Sequence, residues 1–192
     1  MTLDLAAASD GELALLALAG RQAAYGTIMR RHREPLLRLI RSHIGSNEDA
    51  VDILQECFVA AFSNLNHYDH TRTMRAWLAR IAINKARDWH RRRLLRQFFS
   101  MATALTDEVA DTVADEVPSS DTIVSDRAAL ARTFAAIARL PNRLKEPLIL
   151  YTLEDWTQAA IADVLDISEK AVETRVRRAR AKLREILAML DD

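Results

Sequence analysis

Helical periodicity runs along almost the whole of this 192-residue chain, and four glycines and four prolines are too few to interrupt it often. No run alternates polar and apolar residues for long enough to make a strand. The chain is therefore expected to be all-α. Apolar spacing and end signals predict a helix over Asp10–Ala19, stopped near Gly20. A second covers Arg21–Ile44, with Gly45 just past its end and Pro35 as a kink or break. Asn47 or Asp49 can cap a third helix through Ser63, and a fourth runs from about Thr73 to Arg96. Helices resume over Arg127–Arg139 and Pro141–Leu153, where Pro141 suits a first-turn position.

The formal net charge is zero, so no global charge argument for a polyanionic partner is available. The distribution is another matter. Nine Arg or Lys stand against one acid, Asp88, between Thr71 and Phe98, whereas Ser100–Asp126 holds seven acids and no base. That acidic stretch has too few large apolar groups to form a core and reads as a linker, flexible or partly helical. Two small helical domains are expected, at 1–99 and 127–192, joined by residues 100–126. Cys57 is the single cysteine, which excludes an internal disulfide and points to a reduced compartment. The apolar run Leu13–Ala19 is too short to span a bilayer, so neither signal peptide nor membrane helix is expected and the chain reads as cytoplasmic.

The C-terminal third carries the sharpest signal. Thr157 and Ser168 are each placed to cap a helix, and the two helices are joined by a tight turn. Ile161, Ala162 and Leu165 make an apolar face on the first. Val172, Val176, Ala179, Leu183, Ile186 and Leu190 make a continuous stripe on the second. Lys170, Thr174, Arg177, Arg178 and Ala181 project away from that stripe. A helix buried on one side and short, polar and cationic on the other is what the major groove admits, so the pair reads as a DNA-binding helix-turn-helix.

A helical wheel of residues 73–96 places Met74, Trp77, Leu78, Ile81 and Ala82 inward, and Arg80, Asn84, Arg87 and Arg91 on one outward strip that Arg92, Arg93 and Arg96 extend. Like charges at i,i+4 cost a helix a few tenths of a kcal/mol each, roughly, and that cost points to phosphate rather than plain solvation. The preceding loop, Asn66-His-Tyr-Asp-His-Thr-Arg-Thr73, holds side chains that stack on or hydrogen-bond to unpaired bases. His67 and His70 lack the further Cys or His that a zinc site needs.

Four segments together resemble the bacterial sigma factors of the small extracytoplasmic-function (ECF) group. Asp49-Ala-Val-Asp-Ile-Leu-Gln-Glu-Cys-Phe58 is similar to that family's D-x-x-D-[LI]-x-Q-[ED]-x-F segment, and Arg75–Asp88 to its A-W-L-x-x-I-A-x-N helix. Leu140-Pro141 with Leu148 resembles the start of the second domain, and Thr157–Arg180 its promoter-reading unit. The resemblance implies a region 2-like and a region 4-like domain. It implies that Asp49, Asp52, Gln55, Glu56 and Phe58 dock on the β′ clamp helices of core RNA polymerase, with the β flap as a further contact. Asn66, His67, Tyr68 and Arg72 of the loop would capture an extruded base of the −10 element, with Arg80, Asn84, Arg87, Arg91 and Arg92 alongside. Lys170, Glu173, Thr174, Arg175, Arg177 and Arg178 would read the −35 element. Glu173 stands where a base is common; it either accepts from cytosine N4 or neutralises Arg177. Asp155 and Asp166 stand where the family often has glycine, and aspartate tolerates the left-handed turn. The acidic linker would thread the basic RNA path of the polymerase, and an anti-sigma protein is an implied partner.

Three other functions compete. A helix-turn-helix repressor or activator would leave the second basic helix unexplained, and a polymerase adaptor would not need the loop at 64–73. For an enzyme there is no nucleophile–base pair, no glycine-rich phosphate loop and no carboxylate–histidine metal set, and no cofactor is expected.

Overall fold

A computed structural model describes residues 4–103, 132–153 and 155–191, and every regular element among them is helical. In chain order these are α1 (Asp10–Leu18), α2 (Gln22–Ile44), α3 (Asn47–Ser63), a single 3₁₀ turn (Leu65–His67), α4 (Met74–Thr103), α5 (132–138), α6 (Asn142–Leu153), α7 (Gln158–Leu165) and α8 (Glu169–Asp191). Helix α4 runs through Thr103, so the first residues of the expected linker are helical; the rest of it lies outside the described residues, as do 127–131 of the expected fifth helix.

Local chemistry sets most helix ends. Ser9 and Glu12 form a reciprocal capping box at α1, with the Ser9 amide donating to Glu12 Oε2 at 2.7 Å. Gly45 ends α2 at φ 76°, as its position predicts. The cap of α3 is Ser46 rather than Asn47 or Asp49: its hydroxyl accepts from the Asp49 amide, and Asn47 is already helical. Pro35 neither breaks nor ends α2. One missing amide is outweighed there by the neighbouring Leu36, Leu37, Leu39 and Ile40, all buried. Pro141 lies one residue before α6, its carbonyl accepting from Leu144 and Lys145. Pro147 sits within α6, a second proline that helix packing tolerates.

Helix α2 is the spine of the first domain, packed against α1, α3 and α4. Ile28, Ile40, Ile53, Leu54, Leu78 and Ile83 meet in its core. The buried face of α4 is Met74, Leu78, Ala79, Ala82, Ile83, Ala86 and Trp89; Trp77 and Ile81, expected inward, are only half-buried at its margin. In the second domain Leu148, Ile149, Ile161, Val164, Val172, Val176 and Ala179 pack α6, α7 and α8 together.

The two domains also pack on each other, α2 against α6 and α4 against α7. Trp156, nearly buried, wedges into a cleft lined by Pro35, Leu36, Leu39 and Leu78, with the Arg75 guanidinium 5.1 Å from its ring centre.

Asp155 and Asp166 both adopt the left-handed conformation, at φ 50° and 54°. Asp166→Gly is expected to stabilise the second domain by up to about 1 kcal/mol in a urea titration, and Asp166→Val to destabilise it, because only glycine occupies that region without a Cβ penalty. Cys57 is fully buried between apolar neighbours, and burial pushes its thiol up to about 12. At pH 8 it should resist a thiol reagent such as Ellman's until denaturant is added; prompt reaction in the native protein would mean that this core is open.

Candidate nucleic-acid interface

The helix-turn-helix forms as its caps predict. Thr157 Oγ1 accepts from the Ala160 amide and Ser168 Oγ from the Ala171 amide, each at 3.2 Å. Val172, Val176 and Ala179 seat α8 on α6 and α7. That seating leaves Lys170, Glu173, Arg177 and Arg178 exposed on one side, with Thr174 and Arg175 half-buried at its edge. Among the described residues no ion pair joins Glu173 to Arg177, so the recognition face offers three cations and one free carboxylate.

The first domain presents its basic strip on α4, and the second domain engages part of it. Arg87 donates twice to Glu146 of α6, Nε to Oε1 at 2.7 Å and Nη2 to Oε2 at 2.5 Å. Asn84 Oδ1 accepts from Arg87 Nη1 at 3.3 Å. Arg80 donates to the Asp163 carbonyl of α7, and Arg72 lies 2.9 Å from the Asp163 carboxylate. Arg91 pairs with Asp88 on its own helix, and Arg92 reaches towards Glu56. Glu146 and Asp163 of the second domain therefore engage Arg72, Arg80 and Arg87, while Arg91 and Arg92 stay exposed beside carboxylates of the first domain.

Glu146 is the deepest of these groups, its side chain 2 % exposed. Burial pushes its carboxyl up, yet hydrogen bonds from Arg87, helped by His43, outweigh that and hold it below the usual range. The same carboxylate raises Arg87. Next to it Lys145 is fully buried and donates to the His43 carbonyl at 3.2 Å; burial brings its ammonium down to about 8.

The loop before α4 is built around Tyr68. Its hydroxyl donates to the Arg72 carbonyl at 2.7 Å, and its ring packs 5.1 Å from His70 and 5.3 Å from Trp77. Tyr68 is thus a buried post that shapes the loop and is not open to a base here; every other residue from Asn66 to Thr73 is exposed. Asp69 carries the turn, accepting from the Thr71 hydroxyl and amide, which hold its carboxyl low. A cleft of about 350 Å³ lies between this loop, Trp77 and Arg80, and Asp163 and Val164 of the second domain form its far wall.

On α3, Asp52 and Gln55 are exposed and Asp49 is half-buried. Glu56 accepts from Lys85 at 3.2 Å and so ties α3 to α4. Phe58 is core: its side chain is 4 % exposed and its carbonyl accepts from the Tyr25 hydroxyl. The exposed aromatic of this helix is instead Phe62, which with Val59 follows Asp52 and Gln55 along one face. These apolar side chains border a groove of about 590 Å³ shared with Met29 and Arg33 of α2. Sequence reasoning missed Val59 and Phe62, though their spacing from Gln55 by four and seven was available. It also missed Lys145 and Glu146, whose signal was two charges inside the apolar run Leu144–Leu150.

Comparison with known proteins accounts for both domains. Residues 28–95 match Sigma-70 region 2 and residues 131–183 match Sigma-70, region 4. The chain is 39 % identical over 180 residues to the RNA polymerase sigma factor CnrH of Cupriavidus metallidurans, covering 93 % of this chain and 94 % of that one. It is 30 % identical to the ECF RNA polymerase sigma factor SigM of Mycobacterium tuberculosis, over 95 % of this chain and 87 % of the relative. The solved structure of CnrH in complex with the cytosolic domain of CnrY superposes with a TM-score of 0.67 at 33 % identity, covering 95 % and 97 % of the two chains.

Reversing the charge at Arg87 tests what closes the two domains. Arg87→Glu sets a second carboxylate against buried Glu146, and is expected to raise the radius of gyration in small-angle scattering while helix content stays unchanged. An unchanged radius would mean that the clasp is incidental to closure.

Proposed function

This chain belongs to the ECF RNA polymerase sigma factors, and from that premise we propose how its surfaces divide the work of initiating transcription at specific promoters. The observation that carries the reading is the pairing of two cationic DNA-facing helices, α4 and α8, on separate domains of one chain. Helix α8 enters the major groove of the −35 element, with Lys170, Arg177 and Arg178 on phosphates or base edges and Glu173, unpaired, available to cytosine N4. Thr174 and Arg175 make the edge contacts that their half-burial leaves them.

Helix α4 and its preceding loop act at the −10 element. Arg72, Arg80, Arg87, Arg91 and Arg92 neutralise phosphates, and Asn84 hydrogen-bonds to base or backbone. Asn66 and His67 meet an extruded base at the mouth of the loop cleft, whose shape Tyr68 and Trp77 maintain. These roles require the second domain to leave the strip, because Glu146 and Asp163 occupy the same donors. The domain limits 1–99, 100–126 and 127–192 fit this division, α4 itself continuing to Thr103.

Core polymerase docks on α3, through Asp49, Asp52, Gln55 and Glu56, with Val59 and Phe62 as the apolar centre that Phe58 supports from beneath. Contact of the second domain with the β flap completes the holoenzyme. An anti-sigma protein is a further partner, a reading supported by the solved complex of CnrH with CnrY. Among the described residues no helix is long and apolar enough to cross a membrane, and a cytoplasmic site of action follows from the partners.

Multi-round transcription on a pool of genomic promoter fragments, with core polymerase and with or without the protein, tests the reading. New transcripts sharing two sequence boxes at a fixed spacing are expected; tight binding to a palindrome by the protein alone, with no transcripts, would replace it by a repressor. Arg177→Ala with Arg178→Ala should lower the salt slope of −35 binding by about 1 for each phosphate that is no longer neutralised. Gln55→Ala with Val59→Ala should weaken polymerase binding and leave −35 binding by the second domain unchanged.

A further inference from the structure

The seam between the domains holds more than the Arg87–Glu146 clasp. Behind it the last turn of α2 offers the His43 carbonyl, left without an intrahelical partner, and two cationic or titratable side chains converge on that oxygen. Lys145 Nζ of α6 approaches to 3.2 Å, and His90 Nε2 of α4 also to 3.2 Å. The His43 ring is 1 % exposed and lies 5.7 Å from the His90 ring. Neither nitrogen of His43 finds a protein hydrogen-bond partner; Nε2 stands 3.6 Å from Glu146 Oε1, an ion-pair distance but beyond hydrogen-bonding range, and each Glu146 oxygen already accepts from Arg87. Two imidazoles therefore sit against a buried ammonium, with one carboxylate that is already engaged.

We propose that this cluster makes domain closure proton-coupled: α6 seats on α2 and α4 only while His43 and His90 are uncharged, so that protonating either imidazole drives the domains apart. A charged His43 would face Lys145 and Glu146 from α6 and Arg87 and His90 from α4. Glu146 would attract it, but desolvation and the two cations oppose that attraction. A charged His90 would face Lys145 from α6, His43 from α2 and Arg93 on its own helix.

The direction of each group agrees. Burial outweighs the attraction of Glu146 and, with Lys145 and Arg87, holds His43 below its ordinary value of 6.5. Burial and then Lys145 bring His90 down to about 4. Withdrawing α6 removes Lys145 and readmits water, so both imidazoles rise towards 6.5 when the domains part. A group with a lower pKa in the closed form binds fewer protons there, and acid must favour the open form. Lys145 follows the same rule at higher pH, since burial lowers it as well. For His90 the open-to-closed ratio gains about tenfold between about pH 7.5 and pH 5.5, and His43 shifts it further in the same direction. The strip on α4 is uncovered in the same step, because Arg87 is held across this seam.

The test is Förster transfer in the full chain, with dyes on cysteines placed at exposed Glu48 and Lys182 while buried Cys57 stays unreactive. Circular dichroism is followed in parallel. Falling transfer from pH 7.5 to 5.5, at constant helix signal and reversible on neutralisation, is expected. The dependence should vanish in His43→Leu/His90→Gln, which keeps a donor for the His43 carbonyl. His90→Gln alone, at a half-buried position that tolerates change, should flatten the slope on a logarithmic scale. Constant transfer in the parent chain would overturn the proposal. So would acid opening that persists in the double variant or, if that variant does not fold, an unchanged slope in His90→Gln. A fall in transfer that comes only together with a fall in helix signal would also count against it, because the cluster would then report unfolding rather than domain separation.

Discussion

Glu146 is the group on which the closed arrangement of this protein depends. A carboxylate 2 % exposed is tolerable only with strong, well-aligned donors, and the fork of Arg87 supplies two from the other domain. Such a pair adds little net stability once its desolvation is counted, but leaving either partner alone is costly. It therefore fixes where the domains meet more than how strongly. Strength comes from Trp156 in its apolar cleft.

This seam uses the same residues that the proposed −10 contact needs. Arg72, Arg80 and Arg87 engage second-domain oxygens, and the proposed −10 contact calls on the same guanidinium groups for phosphate. Under the proposed function, promoter contact by α4 has to displace these oxygens from the same guanidinium groups. The recognition face of α8 is not engaged in this way, since Lys170, Arg177 and Arg178 remain exposed. The two cationic helices are thus held to different degrees: α4 is partly engaged by the other domain, and the outer face of α8 is not.

The helix-turn-helix was legible residue by residue. Thr157 and Ser168 cap, Val172, Val176 and Ala179 bury, and the cations project, because each of these outcomes depends on neighbours within one or two turns. The α4 strip was legible for a similar reason. Side chains whose fate depends on packing were less so. Trp77 fell at the margin of the core while Ala79, Ala86 and Trp89 lay inside, and Phe58 and Tyr68 were drawn inward as props. An aromatic side chain at a functional motif can either touch the partner or hold the surface that does, and periodicity alone does not distinguish these. Pro35 stayed within α2 because its flanking leucines were buried by helices distant in sequence.

What the sequence determined by itself was the helical class, the turns at Gly45, Asp155 and Asp166, the two cationic helices and the family to which they belong. All of these are encoded in short-range spacing, where propensity and capping act over a few residues. Only the tertiary structure decided that the two domains meet, and with which groups. The pairs Arg87–Glu146, Arg80–Asp163 and Lys145–His43 span 59, 83 and 102 positions. At such separations a charge finds its partner only through the fold, because the helix spacing that positions a side chain on its own face says nothing of what will be packed against it.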